Sequence, residues 1–255
     1  MAPTPEQTAA GYRNLWAKAV VKPARRADAE AIARKMLAVG ARYAAIETTC
    51  GVPWFMVAVI HMREASMNFA GVLHNGEKII GTGRKTTLVP AGRGPFATWD
   101  EAALDALTMA PHALHRIVNW SLERMLYEIE KYNGFGYLGK CNSPYLWSWT
   151  SEYGGGKYVA DHVFSRTAVD PQPGCVALLK ALAALDADVA ARLDGKVVAL
   201  PVQPGATPRR KIPPPPPPSP RPPDIPAPKP APAKPARFGG FFAALAAILE
   251  TLRRK

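Results

Sequence analysis

Seventeen of the chain's 27 prolines fall within the 37 residues from Pro201 to Arg237. A helix or central strand cannot survive that density, because proline lacks the backbone N–H and clashes with the preceding turn. The 255 residues therefore do not make one fold. They divide into residues 1–200, a proline-rich linker over 201–237 and a short tail over 238–255. Charge divides the same way. Of the net +12, the linker carries +6 and the tail +2, which leaves +4 for residues 1–200. A uniformly basic nucleic-acid-binding domain is excluded, and no nucleic acid is expected as a partner.

The linker, with PPPPPPSPRPP at its centre, reads as an extended polyproline II spacer. At about 3.1 Å per residue it reaches on the order of 100 Å. Its positive charge suits an anionic surface; the alternative is a solvated spacer stretched by self-repulsion. In the tail, Phe238, Phe241, Phe242, Leu245, Ile248, Leu249 and Leu252 form one apolar stripe of an amphipathic helix. Phe238–Leu249 would rise only about 18 Å, short of a bilayer core of about 30 Å. The tail is expected to lie in the interface of an anionic membrane or outer-membrane lipid, or else to dock on protein.

Residues 1–200 read as mainly α-helical with a small β region. Asp28 is a plausible N-cap for a helix to about Glu47, with Ile32, Met36, Val39, Tyr43 and Ile46 on one face. Pro53 starts a second helix to about Ser66 that is apolar nearly all round, as in a core. Between Phe69 and Thr98, glycines, prolines and the β-prone pieces Lys78–Ile80 and Thr86–Val89 predict a hairpin or long loop. Thr98, with Glu101 three residues on, predicts a capping box for a helix over Trp99–Met109. Further helices are expected over His115–Tyr132 and about Gly174–Leu193, with an aromatic loop over Asn133–Tyr158 between them.

The residue that stands out is Glu64, at the end of the apolar helix. A carboxylate there is partly desolvated, which raises its pKa, and a raised carboxyl is what glycoside cleavage uses as general acid. The plainer reading is a surface glutamate paired with Arg63 or Lys78.

The stretch GVPWFMVAVIHMREASMNF, Gly51–Phe69, resembles the catalytic-helix signature of soluble lytic transglycosylases and goose-type lysozymes. Glu64 matches the catalytic glutamate and Ser66 the serine, with Ala65 inserted between them. KYNGFGYLG, Lys131–Gly139, resembles the family's Tyr-Asn-x-Gly motif on the far wall of the cleft, through Tyr132 and Asn133. The block from about Gly51 to Phe164 is also similar to phage and prophage endolysins of the lysozyme superfamily, through HNGEKIIGTGRKTTLVPAGRGPF, NSPYLW and GKYVAD. GVLHNG stands where the transglycosylases carry Gly-Leu-Met-Gln.

The resemblance implies a lysozyme-like fold that cleaves the β-1,4 bond between N-acetylmuramic acid and N-acetylglucosamine in bacterial peptidoglycan. Lytic transglycosylase chemistry, and a glycan-binding module that cleaves nothing, stay open beside it. A hydrolase needs a second group to place water. The candidates are Glu77 and, less aptly, Asp100, which also suits a helix N-terminus. His74 and Asn75 are candidates to bind sugar, as are Tyr132, Tyr137 and Tyr145 by stacking. Neither metal nor cofactor is required. His61 and Glu64, three apart on a helix, lack a third metal ligand. Cys50, before a helix N-terminus, would be the nucleophile of an amidase, though Cys50, Cys141 and Cys175 fit neither a disulfide scaffold nor a zinc motif. A monomer is expected, made in a host cytoplasm without a signal peptide and acting in the periplasm or cell wall after release.

Overall fold

A computed structural model of the chain describes residues 2–195. The proline-rich linker and the amphipathic tail lie outside the described residues. Within them, helices α1 (Pro5–Lys18), α2 (Arg26–Ala38), α3 (Gly40–Cys50) and α4 (Trp54–Ala65) come first. A long loop leads to α5 (Trp99–Thr108) and α6 (Leu122–Asn133), then the one-turn α7 (Pro144–Trp147). Strands β1 (Lys157–Ala160) and β2 (Val163–Ser165) follow, and α8 (Cys175–Leu185) and α9 (Ala187–Leu193) close the fold. The expected mainly helical architecture with a small β element is present.

Helix α4 is the centre. Phe55 through His61 are all buried, and each large apolar side chain among them contributes about 1.5–3 kcal/mol. It packs against α3, α6 and α8; α8, more apolar still, also holds α2, α7 and α9. Gly51 ends α3 with φ 75°, the left-handed conformation that favours glycine. There the chain bends by 114° into α4. The Glu47 carboxylate reaches across the bend, accepting the Trp54 N–H at 3.0 Å and pairing with Arg192 of α9 at 2.5 Å.

Four expectations are corrected. The single helix over 28–47 is two, broken at Val39–Gly40, because α2 packs on α8 while α3 packs on α4 and α5. Both halves bury the same apolar stripe, so the periodicity runs unbroken through the joint. Asp28 is not the N-cap: α2 begins at Arg26, and Asp28 sits in its first turn, 3.2 Å from Arg25. The helix expected from His115 begins at Leu122, where the Ser121 hydroxyl accepts the Arg124 N–H. The helix over 174–193 breaks at Asp186, whose carboxylate accepts the Asp188 and Val189 N–H groups and starts α9. The capping box at Thr98 and Glu101 is formed as expected.

The β element also moves. Residues 69–98 hold only one bridge, Gly71 to Lys78, and the hairpin lies just after the aromatic loop, where β1 and β2 pair Tyr158 with Phe164. The reason is local. The amides of Thr87 and Leu88, which a strand would need for its ladder, donate to the Glu77 carboxylate instead.

Gly174 fixes how α8 meets the end of α7. A Cβ there would stand 2.5 Å from both the Leu146 carbonyl and the Ser148 nitrogen. Because φ is an ordinary −72°, the constraint is contact alone. We expect Gly174→Ala to cost about 1–3 kcal/mol in denaturant unfolding. Gly40→Ala, whose Cβ meets nothing within 4 Å, should lose none.

Candidate functional site

The site is built where α4 ends. Ser66 and Met67 follow with φ of 53° and 59°, a strained left-handed pair of the kind concentrated at functional sites. Their amides reach back to the Met62 and His61 carbonyls and stop the helix one residue after Glu64. The loop then folds onto the helix end. A Cβ on Gly76 would meet the Glu64 carbonyl oxygen at 2.2 Å, so only glycine lets His74–Gly76 lie against the last turn.

Glu64 is part-exposed, and its Oε1 accepts the Tyr145 hydroxyl at 2.8 Å. Burial of the carboxyl raises it to about 7; the Tyr145 hydrogen bond and the neighbouring Arg63 charge oppose this less strongly. The expectation of an Arg63 or Lys78 partner is corrected. Arg63 turns to Asp170 at 2.9 Å, with side-chain exposures of 7% and 4%, and donates to the Pro173 carbonyl. Its guanidinium lies 4.8 Å from the centre of the Tyr145 ring. Burial works against the Asp170 charge, but Arg63, the Gln172 amide and Lys157 outweigh it and hold that carboxyl below the ordinary range.

Tyr132 and His74 stand on the loop side. The buried Tyr132 hydroxyl donates to the Leu73 carbonyl at 3.0 Å, and its ring stacks on His112 at 4.2 Å. After burial itself, the charges of Glu64 and Asp105 are what raise Tyr132 further, which puts it within the field of both carboxylates. His74 Nε2 lies 2.8 Å from Asp105 Oδ2, and the ring stacks on Phe96. Burial lowers His74 more than Asp105 raises it. The neutral ring thus keeps its proton on Nε2, facing the carboxylate, and leaves Nδ1 a buried acceptor without a partner among the described residues.

The other candidates are placed differently. Glu77 accepts from the Thr87 hydroxyl at 2.6 Å, from the Thr87 and Leu88 amides and from Asn75. Burial opposes its charge, and those bonds overcome it, so the carboxyl stays below the ordinary range. It is the hub of its loop. The Asn75 amide is spent on the same loop, through the Glu77 N–H and the Leu88 carbonyl. Ser66 is exposed at the helix end, and Asn133 is buried at the end of α6. Tyr137 packs edge-to-face on Tyr158 and Phe164 of the hairpin, so its ring faces are committed there.

Asp100 pairs with Arg42 at 2.9 Å, as a helix N-terminal charge would. His61 is bracketed by the Tyr43 hydroxyl and the Asn68 carbonyl. No cluster among the described residues could hold a metal. Burial pushes the Cys50 thiol up, away from what a nucleophile needs.

Sequence reasoning missed Asp105, Arg93, His112 and Asp170. Arg93 clamps Asp105 through both its Nε, at 2.9 Å, and Nη2. Those partners are 12 residues apart across a loop without period, and Arg63 and Asp170 are 107 apart. Asp105 lies beside Thr98, Glu101 and Thr108 on the polar side of α5, away from the buried Trp99, Ala103 and Ala106, so helix periodicity gives no hint of its role.

No family model, no curated protein and no solved structure matches this chain.

Because Glu64 binds its proton more tightly folded than unfolded, its stabilising effect is complete below the ordinary glutamate pKa. That effect is lost as pH rises through about 7. Glu64→Gln should therefore leave thermal stability nearly unchanged at pH 4, below the ordinary glutamate pKa. At pH 8.5 it should raise stability by at most on the order of 3 kcal/mol, the free energy of ionising a desolvated carboxyl. Equal melting temperatures at both pH values would remove the desolvated-carboxyl assignment.

Proposed function

We propose that this chain is a peptidoglycan-degrading lysin of lysozyme type. On this reading it cleaves the β-1,4 bond between N-acetylmuramic acid and N-acetylglucosamine, with Glu64 as general acid. One observation carries it: a carboxyl at the end of a buried helix, raised to about 7, held by one tyrosine hydroxyl and with no ion-pair partner among the described residues. The resemblance of Gly51–Phe69 and Lys131–Gly139 to the transglycosylase and goose-type lysozyme signatures supplies the substrate class.

With its carboxyl raised to about 7, Glu64 can both give up and take back a proton near neutral pH. Glu64 donates that proton to the glycosidic oxygen as the bond to the sugar carbon breaks, and charge develops on an oxocarbenium-like ring. Tyr145 then stabilises the carboxylate that remains, since its hydroxyl already donates to Oε1. Arg63 acts as a positioning residue: it holds the Tyr145 ring without neutralising Glu64.

A second reading, lytic transglycosylase, is favoured by the state of the other carboxylates. Glu77 is bound by its loop, and Asp105 by Arg93 and His74. With neither free to activate water, the Glu64 carboxylate would instead take a proton from the muramic acid's own C6 hydroxyl, whose oxygen closes an anhydro ring.

Digestion of purified peptidoglycan with mass analysis separates the outcomes. Reducing muramic ends mean hydrolysis and anhydromuramic ends transglycosylation, whereas freed amines would overturn both. Glu64→Gln should lower either glycosidic rate by about 10²–10⁴. Tyr145→Phe removes a hydrogen bond to the charged form of Glu64, so the alkaline limb of the pH–rate profile should move upward. An unmoved limb would detach Tyr145 from the acid.

A further inference from the structure

On the other side of α6 lies a cleft of about 530 Å³ that the glycosidic reading does not use. Tyr12, Leu15, Glu130, Leu138, Ser143 and Trp147 are among its walls. Two features there lack a structural explanation. Glu130 is 5% exposed, and its one hydrogen-bond partner among the described residues is the Tyr12 hydroxyl, which donates to Oε2 at 2.6 Å. Among the described residues no lysine or arginine pairs with it, although the other two glutamates of α6 that are buried, Glu123 and Glu128, pair with Arg13 and with Arg124 and Lys131. The cation that lines the same cleft, Lys140, is turned toward the hairpin, with its ammonium on the Tyr158 hydroxyl and the Gly136 carbonyl.

The second feature is Ser143, 1% exposed. It is the N-cap of α7, where a serine side chain ordinarily accepts a backbone N–H of the first turn. Here it makes no such bond, and its Oγ has no partner among the described residues. A buried carboxylate without a cation and a buried hydroxyl without a partner thus line one cleft, with leucine and tryptophan side chains beside them.

The geometry points to this cleft as a binding site for the ammonium end of an alkyl chain, as in a lysine side chain or an alkyl diamine. An ammonium has three donors and no acceptor. Glu130 supplies the charge and one acceptor, and the Ser143 and Tyr12 oxygens supply the others. Leu15 and Leu138 flank the alkyl stem, and the Trp147 ring offers a face that attracts cations. A neutral alcohol satisfies the apolar walls but leaves the carboxylate without a counter-charge.

Amide chemical shifts of the full-length protein, titrated at pH 7.5 with n-butylammonium and separately with n-butanol, test the assignment. Butylammonium should shift the amides of Gly11, Gly139 and Asn142 along a saturating curve, at least tenfold more tightly than butanol. Glu130→Gln, which keeps an acceptor for Tyr12 but loses the charge, should weaken binding at least tenfold, and Ser143→Ala should weaken it as well. Gly11→Leu is the blocking variant: Gly11 lines the cleft from α1, and a Cβ there meets nothing within 4 Å. It should fold as wild type does and abolish the shifts.

Glu64→Gln should bind the probe unchanged, so failure here and failure of the glycosidic reading are separate results. Equal affinity for alcohol and ammonium, binding that survives Glu130→Gln, or shifts that survive Gly11→Leu would each overturn the proposal.

Discussion

The buried ion pair of Arg63 and Asp170 decides the chemistry of the residue beside it. Adjacent residues of opposite charge on one helix turn would ordinarily partly neutralise each other through solvent. Here the arginine is drawn to Asp170, in the segment leading into α8, with both side chains almost out of water. Removing Asp170 would leave the Arg63 charge buried and uncompensated, the most expensive state such a site can reach, whereas without Arg63 the Asp170 carboxylate would keep only Lys157, at 3.3 Å. The pair therefore ties the last turn of α4 to the chain before α8 and fixes the guanidinium against the Tyr145 ring. Glu64 is left with a hydroxyl instead of a counter-ion. Burial raises its carboxyl, and the Arg63 charge, held by Asp170, offsets that only in part.

The loop after α4 completes the arrangement by a different means. Its order comes from one carboxylate, Glu77, gathering donors from Asn75, Thr87 and Leu88. A carboxylate so employed stays charged and is not free for other work. The same bonds take the amides that would have made Thr86–Val89 a strand. With the loop held in this form, Gly76 can lie on the Glu64 carbonyl, where any side chain would collide. The order of the loop and the engagement of the Glu77 carboxylate are thus one fact.

This explains what was legible in the sequence. Helix α4 was, because its apolar residues run along every face, and so was α5, because Thr98 and Glu101 are three apart. Glu64 was legible as the charge that closes the apolar run. The joint at Val39–Gly40 was not, since two helices that bury one continuous stripe carry the pattern of one. The partners of Arg63 and Asp105 were not, because ion pairs closed across loops leave no period. The bonds of Glu77 were not legible, because proximity in sequence to His74 and Asn75 says nothing about which way a carboxylate turns when backbone amides compete for it.

Helix α6 relates the two unusual carboxyls of the molecule. Tyr132 and Glu130 are two residues apart, about 200° around the helix axis, so one faces the Glu64 side and the other the opposite cleft. Each carboxyl is raised by burial, and each accepts one tyrosine hydroxyl, Tyr145 on Glu64 and Tyr12 on Glu130. A single hydroxyl donor favours the charged form without supplying charge. Every other buried carboxylate whose partners are described, Asp170, Glu123 and Glu128, has a cation. The fold thus gives arginine or lysine to those three carboxylates and a single tyrosine hydroxyl to Glu64 and Glu130.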